Sequence, residues 1–180
     1  HTPLAELEDE VLDQTIAYHK AIGCKDIIIP YAKLETKEQI DAFVERVNTL
    51  IPKLQAEGIS LHYHNHDCDF APTPEGLVPE EELLARTSIL LDTYWTFVAK
   101  QNPVEFIRQH KDRIRMIHLK DGMGDHTGKS LGQGVAPVKE VRQAAIELGF
   151  PMIVESEGLD PTGLEEVKRC IEFLKEEDAK

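Results

Sequence analysis

Five short apolar runs in this chain each lead to a polar residue, and four of those residues can bind a metal or carry a proton. The runs are Asp26-Ile27-Ile28-Ile29 leading to Tyr31, Ile59 to His66, Ile89-Leu90-Leu91 leading to Asp92, Arg115-Met116-Ile117 leading to His118, and Met152-Ile153-Val154 leading to Glu155. A helix-like segment follows each. Parallel strands around a barrel direct side chains from their carboxyl ends into one shared mouth, so His, Asp, His and Glu spread over about a hundred residues are expected to meet at one ion. Mixed imidazole and carboxylate ligands suit manganese, cobalt, zinc or magnesium, and the expectation is a metal-dependent enzyme.

The densest group is Leu61-His62-Tyr63-His64-Asn65-His66-Asp67. Alternate residues of a strand face one way, which puts His62, His64 and His66 on one face with the last two nearest the mouth. One such histidine is ordinarily a satisfied core residue. Three on one face are harder to satisfy in an apolar core, and this favours a ligand role. Asp92 follows three apolar residues inside a buried parallel strand, so a metal, a Lys, an Arg or a backbone cap must compensate its charge. His118 sits between Ile117 and Leu119-Lys120-Asp121, and Glu155 between Val154 and Ser156-Glu157-Gly158.

The elements that must position these groups alternate. A helical stripe runs from Leu4 to Ile22 and closes at Gly23; strand 24 to 31 follows. Thr36 to Gln39 reads as a capping box opening a helix with Ile40, Phe43, Val44, Val47, Ile51 and Leu54 inward, up to Gly58. Strand 59 to 66 comes next, then a loop with three prolines from Cys68 to Pro79 and a short helix from Glu80 to Arg86. Strand 88 to 93, a helix opening at Asn102-Pro103, and strand 114 to 119 lead into a loop with five glycines, Gly122 to Gly134. Pro137 opens a helix that ends at Gly149, strand 152 to 155 follows, and Asp160-Pro161 precedes a last helix with Leu164, Val167, Ile171 and Leu174 on one face. Short strands alternating with helices mean a parallel sheet flanked by helices. An open doubly wound sheet gathers its ligands at one switch point, whereas here they end four successive strands, so a (β/α) TIM-type barrel is expected. A closed barrel takes about 200 to 250 residues or more, so 180 residues predict a partial barrel of five to six strands, N-terminally truncated.

Size and composition predict one domain over 1–180, with 41% hydrophobic and 29% charged residues. A formal charge of -13 argues against nucleic acid, whose phosphates require clustered Lys and Arg. Cys24, Cys68 and Cys170 form no paired motif, which fits reduced thiols in a cytoplasmic protein. No apolar stretch approaches the roughly 18 residues of a membrane span, and no basic-plus-apolar leader precedes the first helix.

HYHNHD (His62 to Asp67), LDTYW (Leu91 to Trp95), HLKDG (His118 to Gly122), KSLGQGV (Lys129 to Val135) and VESEG (Val154 to Gly158) together resemble the sugar phosphate isomerase/epimerase group of the xylose isomerase-like TIM barrels. The resemblance runs from His1 to the last helix. It implies metal ligands at His64, Asp92, His118 and Glu155, with His64 standing where many sugar epimerases carry a glutamate; His66 and Asp69 are the neighbouring fallbacks. It also implies that His1-Thr2-Pro3 ends the third barrel strand. A chain lacking the first two and a half β/α units would expose strand edges, so self-association into a homo-oligomer is expected.

In this reading the ion chelates a carbonyl and an adjacent hydroxyl of a sugar or cyclitol, and a carboxylate removes the proton on the neighbouring carbon. Glu155 is the expected base, with His66 or Lys120 as acid or oxyanion partner. The replacement at His64 argues against two-base epimerisation and leaves one-base isomerisation and dehydration of the inosose type open. Trp95 is expected to stack on the sugar and Glu157 and Ser130 to contact it, while the glycine-rich loop is read as a flexible connector, with a phosphate cradle formed by Ser130 and the amides of Gly132 and Gly134 as the alternative. Two competing readings are a zinc-dependent DNA-repair endonuclease, which the acidic charge opposes, and a non-catalytic self-associating fragment.

Overall fold

The strands are short and mostly buried, and the helices before the strands that start at Asp26, Ser60 and Met152 end at Gly23, Gly58 and Gly149. A computed structural model describes residues 1–179. The chain divides into two compact units, His1–Leu90 and Leu91–Lys180. Both are built of parallel β/α repeats, five parallel strands in all, so the partial TIM-barrel type expected above is the fold observed.

In the first unit, a 3-10 turn Leu4–Leu7 precedes α1 (Leu12–Ala21), then come β1 (Asp26–Ile29), α2 (Lys37–Ala56), β2 (Ser60–His64), a second 3-10 turn Asp67–Phe70, α3 (Pro79–Arg86) and the start of β3 (Ile89–Asp92). The expected single helix from Leu4 to Ile22 is broken at Glu8 to Val11. Arg46 takes the carbonyl of Leu7, and Asp9 turns outward to Lys53 at 2.9 Å, contacts that a continuous helix would not allow. Helix α2 starts as anticipated, with Thr36 Oγ1 accepting the Gln39 N–H at 3.3 Å. Ile40, Phe43, Val44, Val47 and Leu54 are buried, with Leu50 in place of Ile51. β1 pairs β2 with Ile28 opposite His62, and β2 pairs β3 with His64 opposite Leu90.

In the second unit, Leu91 and Asp92 end β3. After them come α4 (Thr93–Val98), α5 (Pro103–Gln109), β4 (Ile114–Leu119), a small antiparallel hairpin of β5 (Asp121–Gly122) and β6 (Gly128–Lys129), α6 (Val138–Leu148), β7 (Met152–Val154) and α7 (Gly163–Asp178). The strand order is β1-β2-β3 in the first unit and β3-β4-β7 in the second. β4 pairs β7 with His118 opposite Ile153. Gly149 closes α6 at φ 74°, the left-handed position glycine favours. α7 is capped by Thr162, and the face carrying Leu164, Val167 and Ile171 is exposed, while Glu166 and Cys170 are the buried residues of this helix. No helix among the described residues is long and apolar enough to cross a membrane.

Candidate functional site

In the second unit, β3, β4 and β7 end within two residues of ionisable side chains that meet. Asp92 divides its carboxylate. Oδ1 accepts the N–H groups of Tyr94 and Trp95 at 2.9 and 3.0 Å, capping α4, while Oδ2 lies 3.7 Å from His118 Nδ1 and 4.0 Å from Lys120 Nζ. The backbone cap allowed for from sequence is therefore present, and it leaves the second oxygen directed at the cations. His118 Nδ1 also contacts Glu155 Oε2. Lys120 Nζ reaches Glu155 Oε1 at 3.1 Å and the carboxylate of Glu157.

These groups are withdrawn from water: Asp92 is fully buried, Lys120 is 2% exposed and His118 4%. Burial works against the charged imidazole, but Asp92 and Glu155 outweigh it and the His118 pKa is raised. Lys120 is treated likewise: burial opposes its charge, Asp92, Glu157 and Glu155 overcome it, and its pKa is raised. The ammonium lies 4.5 Å from the Trp95 ring centroid and 5.9 Å from that of Tyr94, a cation–π arrangement on the aromatic residues that follow Asp92. One imidazole nitrogen and the carboxylates of Asp92 and Glu155 form a donor set of the kind a divalent cation takes. With the imidazole giving up its proton to serve as a ligand, three carboxylates against one ammonium leave two negative charges, which a divalent cation would balance.

Ser130 and Glu157 both line a polar pocket of about 440 Å³ with His126, Gln133 and Arg169. The phosphate cradle considered as the alternative reading of the glycine-rich loop is already filled from within. Asp121 takes the N–H groups of Gly132 and Gly134, both at 2.9 Å, and those of Gly122 and Ala136 at 2.8 and 3.1 Å. A Cβ on Gly134 would collide with the Asp121 carboxylate, which explains the glycine. Ser130 Oγ meets Arg169 Nε at 3.0 Å. Asp121 and Arg169 were missed from sequence. The only local sign of the former is its place between Lys120 and Gly122.

The histidine-rich strand belongs to the first unit. His62 lies in the middle of β2, with His66 beyond the strand's end, and is satisfied by Ser88 Oγ at 3.2 Å and Asp26 Oδ1 at 3.3 Å, so it reads as structural. His64 is 1% exposed, its ring centroid 4.7 Å from that of His66 and 5.0 Å from that of His1. The fallback ligand Asp69 is engaged otherwise: it accepts the Tyr63 hydroxyl at 3.0 Å and the His66 N–H at 2.9 Å, and burial raises its pKa despite both bonds.

The family model for the xylose isomerase-like TIM barrel matches residues 5–177. A crystal structure of a sugar phosphate isomerase/epimerase from Parabacteroides distasonis ATCC 8503 superimposes with a TM-score of 0.80 at 24% identity, covering 92% of this chain and 62% of the other. A second sugar phosphate isomerase/epimerase structure from that organism gives 0.79 at 27% identity, covering 94% of this chain and 66% of the other. An inosose dehydratase from Geobacillus thermodenitrificans (strain NG80-2) is 28% identical over 88 residues, 48% of this chain and 30% of the relative. The chain thus spans less than two thirds of the length of each of these proteins.

Proposed function

We propose, for a chain that belongs to the xylose isomerase-like TIM-barrel family, that the cluster at the ends of β3, β4 and β7 is a divalent-metal site acting on a sugar or related cyclitol by proton abstraction next to a carbonyl. The observation that carries this reading is the meeting of Asp92, His118 and Glu155 around Lys120 in the second unit. Asp92, His118 and Glu155 would hold the ion, and His64 is assigned as fourth ligand on its motif alone. A bound divalent ion would supply Lewis-acid polarisation of a carbonyl and its neighbouring hydroxyl.

The chain's own residues account for the proton. Glu155, only partly buried, removes it from the carbon beside the carbonyl and holds it on a carboxylate oxygen. The Lys120 ammonium stabilises the negative charge that then develops on the substrate oxygen, and its contacts with Glu155 and Glu157 keep it aimed without solvent. His66 is the alternative acid, on its motif alone. Trp95 offers a ring to a sugar face, and Ser130 and Glu157 contact the remainder of the substrate from the polar pocket. Dehydration of an inosose-type substrate is the second reading. It is favoured by the name of the Geobacillus relative and by the single well-placed carboxylate base.

The test is turnover of a panel of ketoses and inososes with added manganese. Isomerised or epimerised ketose supports the first reading and loss of water from an inosose the second. No turnover of any member, with or without metal, contradicts both.

A further inference from the structure

Beyond Val154 the chain has no regular structure until α7, yet Glu155 and Glu157 must sit still to grip Lys120. The fixing point is on α7. Glu166 is 1% exposed, although Leu164 on the same helix is 78% exposed and Ile171 46%. A helix that buries a carboxylate while leaving leucine in water is not packing for its own stability. The Glu166 carboxylate accepts the Gly158 N–H at 3.1 Å. Burial opposes its charge, but the donors of the turn, the Gly158 N–H among them, lower its pKa. The loop wraps around it, with Leu159 in the left-handed region at φ 52°. Gly158 is closely packed: a Cβ there would lie 3.0 Å from Glu166 Oε1 and 3.0 Å from the carbonyl of Gly128, so the carboxylate would have to give way by a few tenths of an ångström. One helical turn later, Arg169 reaches Ser130 and the Asp160 carbonyl, and Cys170 Sγ accepts the Leu131 N–H at 3.3 Å.

We infer that Glu166 is a positioning residue: held in the turn of residues 156–160, its carboxylate fixes Glu155 and Glu157 around Lys120. The kinetic consequence rests on the function proposed above. The positional one does not, because Trp95, the only tryptophan of the chain, lies under Lys120 and reports on it directly.

The experiment uses the whole chain without metal, as Glu166→Ala, Glu166→Gln and Gly158→Ala, each checked for native circular dichroism. In Glu166→Ala and in Gly158→Ala, which wedges the same contact open while keeping the charge, Trp95 emission is expected to move to longer wavelength and acrylamide quenching to rise. Glu166→Gln keeps an acceptor oxygen and should recover most of the wild-type emission. Wild-type Trp95 emission in either of the first two variants, whichever folds, would overturn the inference. With a working substrate, kcat of Glu166→Ala should fall on the order of tenfold or more with KM little changed, as for a misplaced catalytic group. If no substrate is found for the wild type, the functional reading fails while the emission shift still decides the role of Glu166.

Discussion

Each unit buries a cluster of ionisable side chains, and the two clusters handle charge in opposite ways. In the second unit the carboxylates of Asp92, Glu155 and Glu157 face an ammonium and an imidazole, and both cations have their pKa raised by the pairing. In the first unit no Lys or Arg among the described residues faces Tyr63, Asp69 or Glu80. Burial, together with the nearby Asp69, pushes both the Tyr63 phenol and the Glu80 carboxyl well up, and neither Glu80 oxygen has a hydrogen-bond partner. Buried charge is tolerated where the counter-charge is built beside it; elsewhere the acid is kept neutral. A cluster that retains ions out of water is the one poised to act on a substrate.

Removing Lys120 should break this contrast most severely. Lys120→Met leaves three carboxylates around an apolar stem, and a loss of about 3 kcal/mol is expected, the lower end for one partner of a buried pair because Glu157 is half exposed. Urea denaturation at pH 7 reads it. Glu80→Met should have the opposite sign, raising stability at pH 7 by about 1–3 kcal/mol, since it removes a buried unsatisfied carboxyl. The pH dependence follows from the raised pKa of Glu80. Its contribution is fully present below the ordinary carboxylate value of 4.5 and is lost as pH rises toward the folded value, so the variant should lose less stability between pH 4 and 8 than the wild type. A Glu80→Met protein less stable than the wild type at pH 8 would contradict the assignment. Asp121 sharpens the comparison as a third solution, a buried carboxylate satisfied by four backbone N–H groups. Asp121→Ala is expected to act locally, speeding amide hydrogen exchange at Gly132 and Gly134 roughly tenfold, the equivalent of one charge-assisted bond.

The alternation of elements and the ligand-type residues at strand ends were legible because both are local: short contiguous apolar runs, capping at Thr36, glycine at 149, and Asp92, His118 and Glu155 each directly after its apolar run. What escaped was decided by partners distant in sequence. Short α4 is nucleated by the Asp92 cap, which was allowed for from sequence without a helix being placed at 93–98. His62 passes for a site residue by strand alternation, yet Asp26 and Ser88 satisfy it. The glycine-rich loop offers the amides of an anion site, but Asp121 occupies them. Glu166 looks like any solvated helix acid until Gly158 is seen against it.

The central claim is that Asp92, His118 and Glu155 together hold a divalent cation. Manganese titration by calorimetry of the purified chain and of His118→Ala and Glu155→Ala tests it most directly. One saturable site in the wild type, weakened at least tenfold in each variant, is the predicted result, and unchanged affinity in both variants would contradict it.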